Sequence, residues 1–218
     1  GDSVGAPPSS GAMGKLDRTK LKANLKLTQQ RLQVLKSKRT ALAAKDGREA
    51  AELLAKGKDE EARIKVEAVV KDEATVEAYE VLELFVELLL SRLDMLALSK
   101  KCPGELHEAV STLMYTAVRH EALKELGVIR KVLGAHFGKA FVQAASTNAD
   151  GSVNGVVVQK LAVSTPDVSV VYKRMADVAK QYDVAWSAPV APDPTTGVFP
   201  EYAASATATS SGGGGGRR

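Results

Sequence analysis

The tetrapeptide Lys56-Gly57-Lys58-Asp59 interrupts helical patterning that otherwise runs from Lys15 to Leu98, and it forces the chain to double back. Glycine at the exit of a first helix adopts φ > 0 without strain, and Asp59 followed by Glu60 and Glu61 supplies an N-cap oxygen and early negative charge for a second. Before the turn, Leu21, Leu25, Thr28, Leu32, Leu35 and Leu42 recur at spacings of four and three with a final heptad step, which predicts an apolar seam. A second row, Leu27, Val34 and Ala41, is read as widening it. A helix from Lys15 to Lys56 would be about 60 Å long, so it needs a partner along its length, and the next helix is the obvious one.

The run Val81-Leu82-Glu83-Leu84-Phe85-Val86-Glu87-Leu88-Leu89-Leu90 is the most apolar in the chain and continues through Leu93, Met95, Leu96 and Leu98. Its polar residues Glu80, Glu83, Glu87, Ser91 and Asp94 keep helical spacing and share one stripe. The expectation is one helix through Leu98 that touches several others over 76–98. Three glutamates, and no uninterrupted run of about 18 apolar residues, argue against a membrane span.

With 218 residues, 44% of them hydrophobic, the chain can build one core. The organisation read here is residues 1–14 disordered or tag-derived (Gly11-Ala12-Met13-Gly14 has the look of a tag remnant), a helical domain over 15–186, and a disordered tail over 187–218. A single cysteine, Cys102, permits no internal disulfide and suits a reducing, cytoplasmic setting.

A formal net charge of +4 hides a sharp asymmetry. Between Lys15 and Lys45 ten basic residues stand against Asp17 alone, whereas between Asp59 and Asp94 eleven acids stand against four bases. Two readings stay open: the opposite signs complement each other within the molecule, or the basic helix meets an acidic membrane and neighbouring subunits.

Further helices are expected over Glu105 to Arg119, over about Glu121 to Ala145, as a short turn within Val153 to Val163, and from a Thr165-Pro166-Asp167 start with threonine as N-cap to about Tyr182. The fold class that follows is all-α: a long antiparallel helical hairpin with three or four shorter helices packed on it.

No catalytic or metal constellation has the right spacing. His107-Glu108 and His120-Glu121 begin like a zinc-protease helix, but Ser111 and Lys124 occupy the second histidine's position. Gly134-Ala135-His136-Phe137-Gly138-Lys139-Ala140 echoes a phosphate loop, yet its glycines are one residue too close and Ala140 replaces the magnesium-binding hydroxyl. Cys102, even with His107 five residues on, reads as a lone buried cysteine rather than a nucleophile. The reading is therefore a non-enzyme with no cofactor and no metal. Nucleic acid is disfavoured too, because aromatics are only 5% and no recognition motif is present.

The blocks Leu53-Leu54-Ala55-Lys56-Gly57-Lys58-Asp59-Glu60-Glu61-Ala62-Arg63, Val76-Glu77-Ala78-Tyr79-Glu80-Val81-Leu82, Leu88-Leu89-Leu90-Ser91-Arg92, Gly151-Ser152-Val153-Asn154 and Ala179-Lys180-Gln181-Tyr182-Asp183-Val184 occur in an order that resembles the increased-sodium-tolerance-1 family of ESCRT-III-like proteins. The resemblance implies an ESCRT-III core. It also implies action at endosomal and midbody membranes in multivesicular-body sorting and cytokinesis, copolymerisation with charged multivesicular body protein 1 type subunits, and regulation of the AAA ATPase that disassembles ESCRT-III filaments. Carried onto this sequence, Lys22, Lys26, Lys36, Lys38 and Arg39 would serve membrane or lattice contacts, Arg63 and Lys65 would add filament contacts, and Tyr172, Met175 and Val178 would form a partner-docking face, with ordinary core packing as the alternative for those three.

Two departures from the family pattern stand out. Val118 takes a position where family members commonly carry proline, which predicts a softer break after the third helix. The tail after Trp186 also lacks the amphipathic leucine-rich motif with which family members bind microtubule-interacting-and-transport domains. A different functional class, a monomeric basic helical adaptor for one protein partner, remains as the alternative.

Overall fold

The computed structural model describes residues 15–162 and 164–188. Residues 1–14 and the tail from 189 onward, both read as disordered, lie outside the described residues, as does Val163. Eight helices are described: α1 Arg18–Ala55, α2 Asp59–Ser91, α3 Leu93–Leu98, α4 Gly104–Arg119, α5 Lys124–Phe137, α6 Lys139–Thr147, α7 Gly155–Lys160 and α8 Val168–Gln181. No strand occurs among the described residues, and the all-α helical hairpin with shorter helices is the fold observed.

The hairpin turn closes by backbone bonds. Gly57 adopts φ +69°, Lys58 N–H donates to Leu53 O and Gly57 N–H to Leu54 O, both at 3.0 Å. This double bond pattern satisfies the last carbonyls of a helix and requires a left-handed residue where glycine stands. Asp59 is the first residue of α2 rather than its cap, so Asp59, Glu60 and Glu61 together occupy the positive first turn.

The chain divides into two compact units, residues up to Lys38 with Thr75–Ala162, and Arg39–Ala74 with the segment after Val163. In the first unit Leu21, Leu25 and Leu32 are fully buried in one cluster with Tyr79, Leu82, Val86, Leu89, Leu106, Leu113 and Leu126. Each such leucine contributes about 1.5–3 kcal/mol by leaving water. Thr28, also fully buried, donates its hydroxyl to Asn24 O at 2.8 Å, so the seam tolerates it.

Leu27 and Val34 do not widen the seam: they are 50% and 67% exposed. At about 100° per residue they lie nearly half a turn from Leu25 and Leu32. Leu84 and Leu98 are likewise exposed, so α2 and α3 are not covered on every side.

The helix expected to run through Leu98 stops at Ser91, whose hydroxyl donates to Leu88 O at 2.8 Å. Arg92 leaves helical geometry at φ −114°, ψ 21°, although Arg92 N–H to Leu88 O and Leu96 N–H to Arg92 O still bridge the break. The helix expected over about Glu121 to Ala145 is also two helices, because Gly138 sits at φ +93° between α5 and α6. Gly134 has a packing role: a Cβ there would lie 2.6 Å from Val142 Cγ2. These glycines serve a helix corner and a close approach, not a phosphate.

Val118 lies inside α4, which nonetheless ends at Arg119. His120 follows, its Nε2 2.5 Å from the hydroxyl of the fully buried Tyr79. The link from α6 to α7 is tied down by asparagines. Asn148 closes α6 in a left-handed conformation. Asn154 caps α7 by accepting from Val156 and Val157 N–H, while its own N–H and Nδ2 donate to Thr112 Oγ1 and Glu108 Oε1.

In the second unit Ala50, Ala51, Leu54, Ala62 and Val66 form a cluster with Val171, Tyr172, Met175, Val178 and Ala179 of α8. The α8 cap is Asp167, which accepts Ser169 N–H at 2.7 Å, two residues later than the expected Thr165 cap. The Ser169 hydroxyl, which also donates to Asp167, and then this N–H hold the Asp167 carboxyl below its usual range. At the far end Asp183, at φ +55°, ends the helix as Val184 N–H donates to Ala179 O. The chain then returns so that Trp186 stacks on Tyr172.

Candidate functional site

Among the described residues no group of three or more His, Cys, Asp or Glu could hold a metal ion, and none of the helices is long and apolar enough to cross a membrane. Burial pushes the Cys102 thiol up to about 12, so it is protonated and unreactive at neutral pH. His136 is buried with Nε2 3.0 Å from Leu96 O and 2.9 Å from Ser99 O, where an Nε2–H donates to carbonyls at the end of α3. What can act on other molecules is the surface, and its charges separate into two kinds.

Four of the predicted contact residues are engaged within the protein. In the first unit Lys36 Nζ lies 2.7 Å from Glu83 and 3.9 Å from Glu80. In the second, Arg39 Nη1 donates to the buried Asp72 at 2.6 Å, and Lys65 reaches Glu49 at 2.6 Å and Asp46 at 3.2 Å. Arg63 pairs with Glu60 one turn earlier on α2. The Glu49 and Asp46 carboxylates hold the Lys65 ammonium above its usual pKa. The charge complementarity read between the two long helices is thus partly internal.

Lys22, Lys26 and Lys38 are exposed and form no ion pair among the described residues. They flank the exposed Leu27 and Val34 of α1. Nearby Arg31 is taken by a two-bond contact to Glu125, at 2.6 and 2.7 Å, that holds the Glu125 carboxyl below its usual range.

Tyr172, Met175 and Val178 are no open docking face: they are 7%, 0% and 0% exposed and constitute the α8 side of the second unit's core. Arg174 fastens the same helix by a two-pronged contact from Nε and Nη2 to Glu73. The apolar spacing was compatible with either role, and burial decides for packing.

Sequence reasoning missed a row that the structure leaves bare. Leu84 is 64% exposed, Leu88 half-buried, Met95 37% and Leu98 86% exposed. Leu84 and Leu88 lie one turn apart on α2, Leu88 packing partly against the first unit's core, and Met95 and Leu98 lie one turn apart on α3. Glu80, Glu87 and Asp94, seven residues apart and exposed, run beside them. The signal was present as spacing, but in so apolar a helix nothing marked which row stays uncovered.

The described residues form an all-α hairpin with shorter helices, its charged and apolar groups spread along helix faces. Residues 22–185 match the family described as Ist1, regulator of Vps4 activity in the MVB pathway, and the chain belongs to that family. An IST1-like protein of Dictyostelium discoideum is 34% identical over 185 residues, 85% of this chain and 50% of its own length. The vacuolar protein sorting-associated protein IST1 of Saccharomyces cerevisiae is 28% identical over 77% of this chain and 59% of its own length. The chain therefore spans about half the length of the curated relatives it matches. Among solved structures, the S. cerevisiae Ist1 N-terminal domain in complex with a Did2 MIM motif superposes with a TM-score of 0.71 at 29% identity, covering 78% of this chain and 94% of that one.

Proposed function

We propose that this chain regulates the Vps4-type ATPase of the multivesicular-body pathway without chemistry of its own. It joins ESCRT-III subunits of the charged multivesicular body protein 1 type and copolymerises with them at endosomal membranes, and at the midbody in cytokinesis. The observation that carries this reading is the family match, which spans both units from residue 22 to 185. The solved relative is in complex with a Did2 MIM motif, and the exposed Leu84 and Met95 offer this chain an apolar seat for such a motif, with Glu87 beside it for basic partner residues. Lys22, Lys26 and Lys38 are the cations left to meet a neighbouring subunit or an acidic membrane.

Capture of a Did2-type motif peptide by the purified chain tests this. Leu84→Asp with Met95→Asp, both exposed, is expected to weaken capture at least tenfold while helicity is kept. Equal capture by the variant overturns the assignment of the row, and no capture by the unmodified chain overturns the partner. Sedimentation with a charged multivesicular body protein 1 subunit separates assembly from adaptor: a pelleted copolymer supports the filament reading, and a soluble one-to-one complex supports the monomeric adaptor.

A further inference from the structure

Leu98 is the last residue of α3 and 86% exposed, the barest large apolar side chain described. Its exposure is imposed by the fold rather than by fraying. Leu93 and Leu96 bury the opposite side of the same helix, Ser99 turns at once into extended backbone, and His136 of α5 holds both Leu96 O and Ser99 O. A leucine pinned outward on a turn held from within is available to a partner at little entropic cost.

Positive charge surrounds it. Lys100 and Lys101 follow in the α3–α4 turn, exposed and without ion pairs among the described residues. Arg18 contacts Asp94, which lays the start of α1 beside α3. Lys22, four residues after Arg18, shares its face, and Lys15 lies just before α1; both are exposed and form no ion pair among the described residues. The local acids are already engaged: Asp94 by Arg18, Glu105 by Arg92 at 3.8 Å, and Asp17 by Lys20 N–H at the head of α1.

We propose that this end of the first unit, the α3–α4 turn with the start of α1, seats on an anionic lipid surface and inserts Leu98 between the headgroups. Flexible lysines around a single outward leucine match a diffuse, fluid field of negative charge, where the stems bury beside the leucine and the ammonium groups stay at the headgroups. The inference rests on the proposal that the protein works at an acidic membrane. It assigns the contact to the tip instead of to the length of α1.

Flotation of the whole chain with phosphatidylcholine vesicles, with and without phosphatidylserine, tests it. Binding is expected only with phosphatidylserine, weakened at least tenfold by Lys100→Glu with Lys101→Glu and about tenfold by Leu98→Ser. Arg48→Glu with Lys173→Glu, both exposed and in the second unit, is expected to retain most of it. Leu98→Trp adds fluorescence that brominated acyl chains quench, with Trp186 as reference. Equal binding by the tip variants, or an unquenched Leu98→Trp signal, overturns the seat while leaving a membrane role standing. No binding of the unmodified chain to phosphatidylserine overturns both. Capture of the Did2-type peptide by the same tip variants reads the assembly proposal independently.

Discussion

Adjacent cations on α1, Lys38 and Arg39, are expected to answer substitution in opposite ways. Lys38 is exposed and unpaired, whereas Arg39 makes a 2.6 Å charge-assisted bond to Asp72, whose side chain is only 11% exposed. Truncating Arg39 leaves that carboxylate desolvated and without its cation. A hydrogen bond to a charged group contributes about 1.5–3 kcal/mol. Because the Arg39 side chain is itself 41% exposed, water recovers part of this, and Arg39→Ala is expected to cost about 1–2 kcal/mol. Lys38→Ala is expected to stay within about 0.5 kcal/mol of the parent. Urea unfolding followed by Trp186, the only tryptophan and a member of the same unit as Arg39 and Asp72, reads the difference directly. Arg39→Ala with Asp72→Asn should cost less than the two single changes summed, since the second removes the stranded charge. Equal midpoints for Lys38→Ala and Arg39→Ala would refute the division of α1 into structural and outward-facing cations.

The remaining predictions concern titration. Cys102, with its thiol pushed from 9.0 to about 12 by burial, is expected to react with iodoacetamide at pH 8 on the order of a thousandfold more slowly in the folded protein than in urea; comparable rates would show that the thiol is solvated. The hydrogen bonds from Arg31 hold the folded Glu125 carboxyl below its usual pKa range, so the pair adds stability above the unfolded carboxyl's pKa that is lost as pH falls through the folded one. Thermal melts between pH 7 and pH 3 should therefore show a shallower acid decline for Arg31→Gln than for the parent, and identical declines would discount the pair.

Helix existence and type were legible wherever periodicity was long and punctuation strong. Gly57 sits where the pattern breaks, and the turn's own backbone bonds make a left-handed residue necessary there. The boundaries read less well because local chemistry competed. Thr165 and Asp167 are both good caps, and the structure uses Asp167 because Ser169 supplies two donors to its carboxylate. Gly138 breaks what periodicity carried straight through, since an isolated glycine in a helical pattern is tolerated as often as it turns. For Leu27 and Val34 the error was one of angle: a seven-residue interval keeps them in line with each other but not with the seam, and the 100° step already separates the two rows. The interaction surfaces were legible only as inventory. Which lysines are held by carboxylates depends on residues such as Asp72 and Glu125, 33 and 94 positions away.

That dependence explains why a helix with so many cations is neither merely soluble nor wholly a binding face. Carboxylates from α2 and α5 engage Lys36, Arg39 and Arg31 and fix packing where each unit needs it, so their charges are largely neutralised at short range and project little field. Lys15, Lys22, Lys26 and Lys38 have no such partner, and their potential reaches a partner through about a Debye length of solvent, roughly 8–10 Å. Exposed apolar side chains follow the same division. Leu84 lies in an acidic row and Leu98 beside exposed lysines, and the proposed occupants differ accordingly: a basic partner motif for the first and an anionic surface for the second. Exchanging those local charges while keeping both leucines should therefore exchange the preferences, whereas removing the leucines should weaken both without altering which partner is chosen.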